Sequence, residues 1–232
     1  MAYLLLIDDD PVLIPEQVRL AFPAPAHRVE VAGTATAPAS ANGIFVLAFV
    51  FGAVGFATGA MAAHLPRLLE MAGAGATAAI AAAALMGPAQ VAARLFEFGL
   101  LKRLHPLVST RLALCMHPLA AAALGVFGAP AAAAFAVLHG AGNGLLTISR
   151  GTLPLALFGP AGYGLRIGII VAPARVTTAV SPLLFGLLLN VMGTAALLVS
   201  GGLSLAALAS LALLRVQPAK AASWSSPPSG AP

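Results

Sequence analysis

The chain has 232 residues, enough for one domain or two small ones. Apolar residues make up 60% and charged residues 8%, against roughly 45–50% and about 25% in an average soluble domain, which excludes an ordinary water-soluble fold and points to an integral membrane protein. The formal charge of +5 does not mark a nucleic-acid binder, because the basic residues are spread along the edges of apolar runs, where membrane topology uses them.

Residues 1–33 hold five of the seven carboxylates: Asp8, Asp9, Asp10, Glu16 and Glu30. Only Glu70 and Glu97 lie beyond them. The first apolar stretch, Leu4 to Ile7, is too short for a secretory signal and runs into three aspartates. Thr34 to Asn42 is small and polar and reads as a linker.

Six apolar segments follow, each long enough or nearly so to cross a bilayer, which takes about 20 residues. They are Ile44–Ala63, Ala76–Leu101, Leu107–Phe127, Ala131–Ile148, Tyr163–Met192 and Thr194–Leu214. The third is the least clean, since it contains Arg111 and His117. The fifth is too long for one straight crossing and is broken by Pro173 and Pro182. All six are expected to be helices, because in hydrocarbon a lone helix satisfies its own backbone groups. The expected fold is an all-α membrane protein, a bundle of six transmembrane helices over residues 43–215. Residues 216–232, rich in Pro, Ser and Ala, are expected to form a disordered cytoplasmic tail. Gly55 and Gly59 form a GxxxG pair of the kind that lets membrane helices approach closely, in a composition where alanine and glycine are abundant everywhere.

Orientation follows from lysine and arginine. With the first segment starting inside, the inner side carries Lys102, Arg103, Arg111, Arg150 and Arg166, then Arg215 and Lys220 in the tail. The outer connections carry only Arg67. The expectation is a multi-pass protein of the inner (plasma) membrane with both termini in the cytoplasm.

Candidate functional residues are polar groups at membrane depth. Asn143 and Arg175 each fall about 18 Å along their segments, near the midplane. An arginine there costs about 2.5 kcal/mol or more and is a functional candidate by default. Thr177, Thr178 and Ser181 lie close to Arg175 on the same segment. Asn143 lies in "HGAGNG", with His139 one turn earlier as a possible proton carrier. These three residues are candidates for a substrate path, against the plainer reading of hydrogen-bonded bundle contacts. Gln90, Arg94 and Glu97, at spacings of four and three, share a helical face where Arg94 and Glu97 can pair as a gating or structural bridge. No catalytic set emerges: the five histidines lack metalloprotease spacing, and "GAGNG" has no lysine following it to make a phosphate loop. No cofactor is implied, and an enzyme is not expected. Cys115, the single cysteine, reads as a buried small hydrophobe.

Residues 43–215 resemble the C-terminal six-helix half of a major facilitator superfamily transporter. The resemblance rests on six spans with both ends inside, on "ALMGPAQVAARLFEFGLLKRLHP", and on "ISRGTLPLALFGPAGYGLRIG" leading into a helix with internal Pro and Arg. The basic Lys102–Arg103 loop is similar to the charged cytoplasmic loop that recurs in each half of those proteins. The resemblance implies transmembrane transport of a small solute by alternating access, with membrane lipid around the bundle and the missing half supplied by a second copy or another six-helix chain. Residues 3–33 resemble the start of a response-regulator receiver domain, an incomplete β-α-β fragment. "LLLIDDD" is similar to its first strand and acidic pair, "PVLIPEQVRLAFP" to its first helix and "HRVEVAG" to its second strand. Asp8 and Asp9 would then be a weak metal site that receives no phosphate, since no aspartate follows Asp10. Two other functions are weighed beside transport: a membrane-anchored, response-regulator-like signalling protein, and a non-functional fusion remnant.

Overall fold

The computed structural model describes residues 41–99, 105–160 and 162–212. The receiver-like fragment, its Asp8–Asp9 pair and the tail from residue 216 lie outside the described residues. Of the expected linker, Ala41 and Asn42 already belong to the first helix. The helices are α1 (Ala41–Met71), α2 (Ala76–Ala84), α3 (Met86–Gly99), α4 (Pro106–Phe127), α5 (Ala132–Phe158), α6 (Tyr163–Met192) and α7 (Ala196–Ala212). Short 3-10 turns, Ala129–Ala131 and Gly193–Ala195, lead into α5 and α7. No strand occurs among the described residues.

Five stretches are long and apolar enough to cross a membrane: Asn42–Met71, Ala76–Gly99, Pro106–Phe127, Ala129–Phe158 and Tyr163–Ala212. The expected count was six. The difference lies in the last two segments, which the turn at Gly193–Ala195 joins into one continuous apolar stretch. Within it α7 has 17 residues, or about 26 Å of helix, short of the roughly 30 Å hydrocarbon core.

Two boundaries also differ from expectation, each because helical backbone continues past the apolar run, and a third segment keeps its bounds but is not broken at its prolines. Helix α5 extends beyond Ile148 to Phe158 and carries Arg150 and Pro154 inside it. Arg150 therefore belongs to a span rather than to a connection. Helix α1 continues through Pro66 to Met71 and takes Arg67 with it. Helix α6 is continuous over 30 residues despite Pro173 and Pro182. Pro182 leaves Thr178 O without its usual backbone donor four residues on, and Ser181 Oγ donates to that carbonyl at 3.1 Å. Hydroxyl bonds of this kind are one way membrane helices tolerate proline.

Helix α1 is the central post. Its most apolar window is 72% buried, against 22% for the α2–α3 stretch. It packs chiefly against α6, and also against α7, α2 and α5. Around it the outward surface is greasy: Phe98 is 73% exposed and Val191 85%. A soluble fold does not leave so many large apolar side chains in water, whereas lipid takes them without penalty.

The α1–α6 contact depends on the GxxxG pair. A Cβ on Gly55 would fall 2.5 Å from Ala174 O, and one on Gly59 would fall 2.5 Å from Thr178 O. With no side chain in the way, Thr177 Oγ1 reaches Gly52 O at 2.8 Å and Thr178 Oγ1 reaches Gly55 O at 3.1 Å. Toward the far end of the same contact, Arg67 Nη2 donates to Asn190 Oδ1 at 2.7 Å. Small residues and interhelical hydrogen bonds are what hold helices together where lipid removes the hydrophobic drive.

Candidate functional site

Helix α5 carries a polar stripe. His139, Asn143, Thr147 and Arg150 are spaced by four, four and three residues, which sets them on one helical face. The glycines between them flatten the rest of the helix. A Cβ on Gly144 would fall 2.5 Å from Gln90 O in α3, and one on Gly142 would fall 2.9 Å from Ala113 O in α4. Helices α3 and α4 therefore approach α5 closely and bring their own polar groups to the stripe.

At its buried end, His139 and His117 face each other across the α4–α5 contact. Their Nδ1 atoms lie 2.9 Å apart, and His117 Nε2 lies 3.1 Å from Ser200 Oγ of α7. Both rings are buried. Phe135 stacks on His139 at 6.1 Å and meets His117 edge-on at 6.0 Å. A cavity of about 20 Å³ opens beside the pair, lined by Thr58, His117, His139, Asn143 and Ser204 among apolar neighbours. Thr58 Oγ1 donates to Asn143 Oδ1 at 3.1 Å, which ties α1 to the stripe.

Further along, Arg94 Nη2 of α3 reaches Thr147 Oγ1 at 3.5 Å. Arg150 lies one turn beyond, half-buried, with no partner for its Nε. Arg175 of α6 is exposed and close enough to Arg150 for the two cations to repel. Its neighbours Thr177 and Thr178 do not accompany it, since both hydroxyls bond backbone on α1.

Of the expected path residues, the structure places Asn143 and His139 on one stripe, lining one cavity. Arg175 is not in that cavity but near the other end of the stripe, beside Arg150. The expected Arg94–Glu97 pair is not formed. Arg94 turns to Thr147 on α5, and Glu97, 7% exposed, hydrogen-bonds Ser109 on α4. Spacing on one helix allows a pair but does not weigh it against partners that neighbouring helices offer. Gln90 takes part through its backbone, as the wall against Gly144.

Sequence reading missed His117, Ser200, Ser204, Thr58 and Thr147. For the histidines a signal was present. His117 and His139 lie eleven residues on either side of Gly128, the turn between α4 and α5. Two antiparallel helices joined by a short turn bring equidistant residues to the same height. Among the described residues, no three of His, Cys, Asp or Glu come together to hold a metal ion.

No protein-family model matches this chain, and comparison with curated proteins and with solved structures finds no match.

Proposed function

We propose that this chain is one half of a major facilitator-type transporter, moving a small solute across the membrane by alternating access. The observation that carries the reading is the α5 stripe. Four polar or charged residues share one face of a membrane-length helix, and the stripe runs from a buried cavity at Asn143 to the exposed Arg175 beside Arg150. Polar groups at membrane depth are costly and mark solute and ion pathways. An exposed cation there, Arg175, calls for water or a protein partner rather than lipid tails. The partner is a second copy or another six-helix chain, because alternating access needs two bundles rocking about a site between them. No bound cofactor is part of the reading, nor is any bond-making step; the side chains select and release a solute.

The test is the mass of the full chain extracted in mild detergent, measured by light scattering with the detergent subtracted. A dimer, or a complex with a second multi-helix chain, is expected. A folded, monodisperse single chain would overturn the need for a second half.

Counting α6 and α7 of the 50-residue stretch as two crossings, the proposal puts the protein in the inner (plasma) membrane with both termini in the cytoplasm, a reading supported by the bias of lysine and arginine. A fluorescent reporter fused after residue 232 should mature and glow, since it folds in the cytoplasm. An exported alkaline phosphatase reporter at the same point should stay inactive, and the reverse pattern would show the opposite orientation.

A further inference from the structure

The His117–His139 pair has an internal logic beyond packing. Ser200 Oγ lies 3.3 Å from Leu197 O, to which it can only donate. While Ser200 keeps that bond, its lone pairs accept from His117 Nε2–H. In that arrangement His117 Nδ1 is bare and accepts from His139 Nδ1–H, across the 2.9 Å that separates them. This leaves His139 Nε2 with a free lone pair, on a ring that lines the cavity. The cavity, at about 20 Å³, exceeds the ~10–15 Å³ that one water needs, and Thr58, Asn143 and Ser204 can hold that water.

We propose that the His117–His139 pair binds a single proton, delivered by water in the cavity beside Asn143, and that this proton is the ion coupled to solute movement. The first part stands on the geometry alone; the second rests on the transporter reading. A hydronium in the cavity gives its proton to His139 Nε2 and becomes water. The ring becomes an imidazolium whose Nδ1 proton lies between the two Nδ1 atoms, so the charge is shared by both rings. Sharing offsets part of the cost of a buried charge, which one imidazole among apolar side chains would bear alone.

Among the described residues, the pair supplies the only titratable groups that line the cavity. Helix α1 presents Thr58 and apolar residues there, α7 presents Ser204 to the cavity and Ser200 to His117, and of the titratable groups on α4 only His117 lines it, Arg111 being bonded to Leu211 O and Cys115 lying outside the lining. On α3, the charged groups that face this side are Arg94, bonded at Thr147 about two turns along α5, and Glu97, bonded at Ser109 about two turns along α4. Among the described residues no carboxylate lines the cavity.

The experiment is nitrogen NMR of the full chain, labelled with ¹⁵N-histidine, in lipid bilayers, titrated from alkaline to acid pH. At alkaline pH one bare Nδ1 hydrogen-bonded to a protonated Nδ1 is expected, with one bare Nε2. Acidification should add one proton to the two rings together, their signals moving with a common midpoint, as coupled sites do. Rings that keep fixed tautomers and stay neutral until the chain unfolds would overturn the proposal, as would two independent uptakes. Asn143→Leu, which fills the cavity while sparing both rings, should abolish the uptake; a titration unchanged in that variant would also overturn it. The readout needs no solute. Uptake in a chain that carries no solute would leave the proton site standing and remove the transporter reading, and solute flux without uptake would do the opposite.

Discussion

Gly55→Leu is expected to destabilise the bundle by about 3 kcal/mol, at the upper end of what overpacking costs. The reason is backbone contact. The new Cβ would lie 2.5 Å from Ala174 O, 2.7 Å from Thr177 Oγ1 and 2.9 Å from Thr178 Oγ1. Side chains can rotate out of the way, but a helix carbonyl can move only if α6 moves. Moving α6 breaks the Thr177 and Thr178 bonds to α1 and leaves hydroxyls and carbonyls unpaired. Because α1 is the central post, the damage spreads to α7 and α5, which also pack on it. The control is Gly168→Leu on α6, where an added Cβ meets nothing within 4 Å. That variant should fold as well as wild type or better, since leucine is the stronger helix former by several tenths of a kcal/mol. Thermal denaturation in detergent separates the two. Equal melting temperatures would show that the α1–α6 contact is not the one described.

Arg175→Leu is expected to act on stability and on transport with opposite signs. Arg175 is exposed midway along a membrane helix, and no hydrogen bond from the described residues holds it. It also sits within repelling distance of Arg150. Leucine removes a charge that costs about 2.5 kcal/mol at the bilayer centre, so melting temperature should hold or rise. Solute movement should fall at least tenfold, because one end of the polar stripe is lost. Residues whose removal stabilises a protein while stopping it are a mark of function rather than of structure. A variant that loses stability and transport together would make Arg175 a structural residue. A variant that keeps both would remove it from the path.

Much of the architecture was legible because membrane constraints are strong. Long apolar runs have one good solution in lipid, so helices were expected and helices occur. GxxxG at Gly55 and Gly59 was visible as a close-approach motif and proves to be the α1–α6 contact. Helix ends were less legible. The stretch after Ile148, "SRGTLPLALF", reads as a polar connection, yet it stays helical, with Leu153 and Phe158 buried and its end tied by Arg166 Nη1 donating to Phe158 O at 2.8 Å. The segment count failed where a short turn replaces a loop, at Gly193–Ala195. The site was legible in part. Asn143 and His139 stood out as polar residues in an apolar run, and they share one stripe and one cavity. Their partners Ser200, Ser204 and Thr58 are common in membrane helices and carry no signal until the helices are placed. Arg94 and Glu97 were misread because hydrogen bonds across helices decide side-chain partners there, and spacing within one helix does not report them.

The most direct measurement is solute counterflow in proteoliposomes holding the full chain, alone and co-reconstituted with any chain that co-purifies with it. Vesicles are loaded with one member of a panel of small organic solutes and tested for uptake of the labelled form. The account predicts at least one solute that the assembled wild-type chain carries down its own gradient, and that the Arg175→Leu and Asn143→Leu variants do not carry at comparable rates. A folded, assembled chain that moves none of them, or variants that move the solute as well as wild type, would contradict the claim that the α5 stripe lines a transport path.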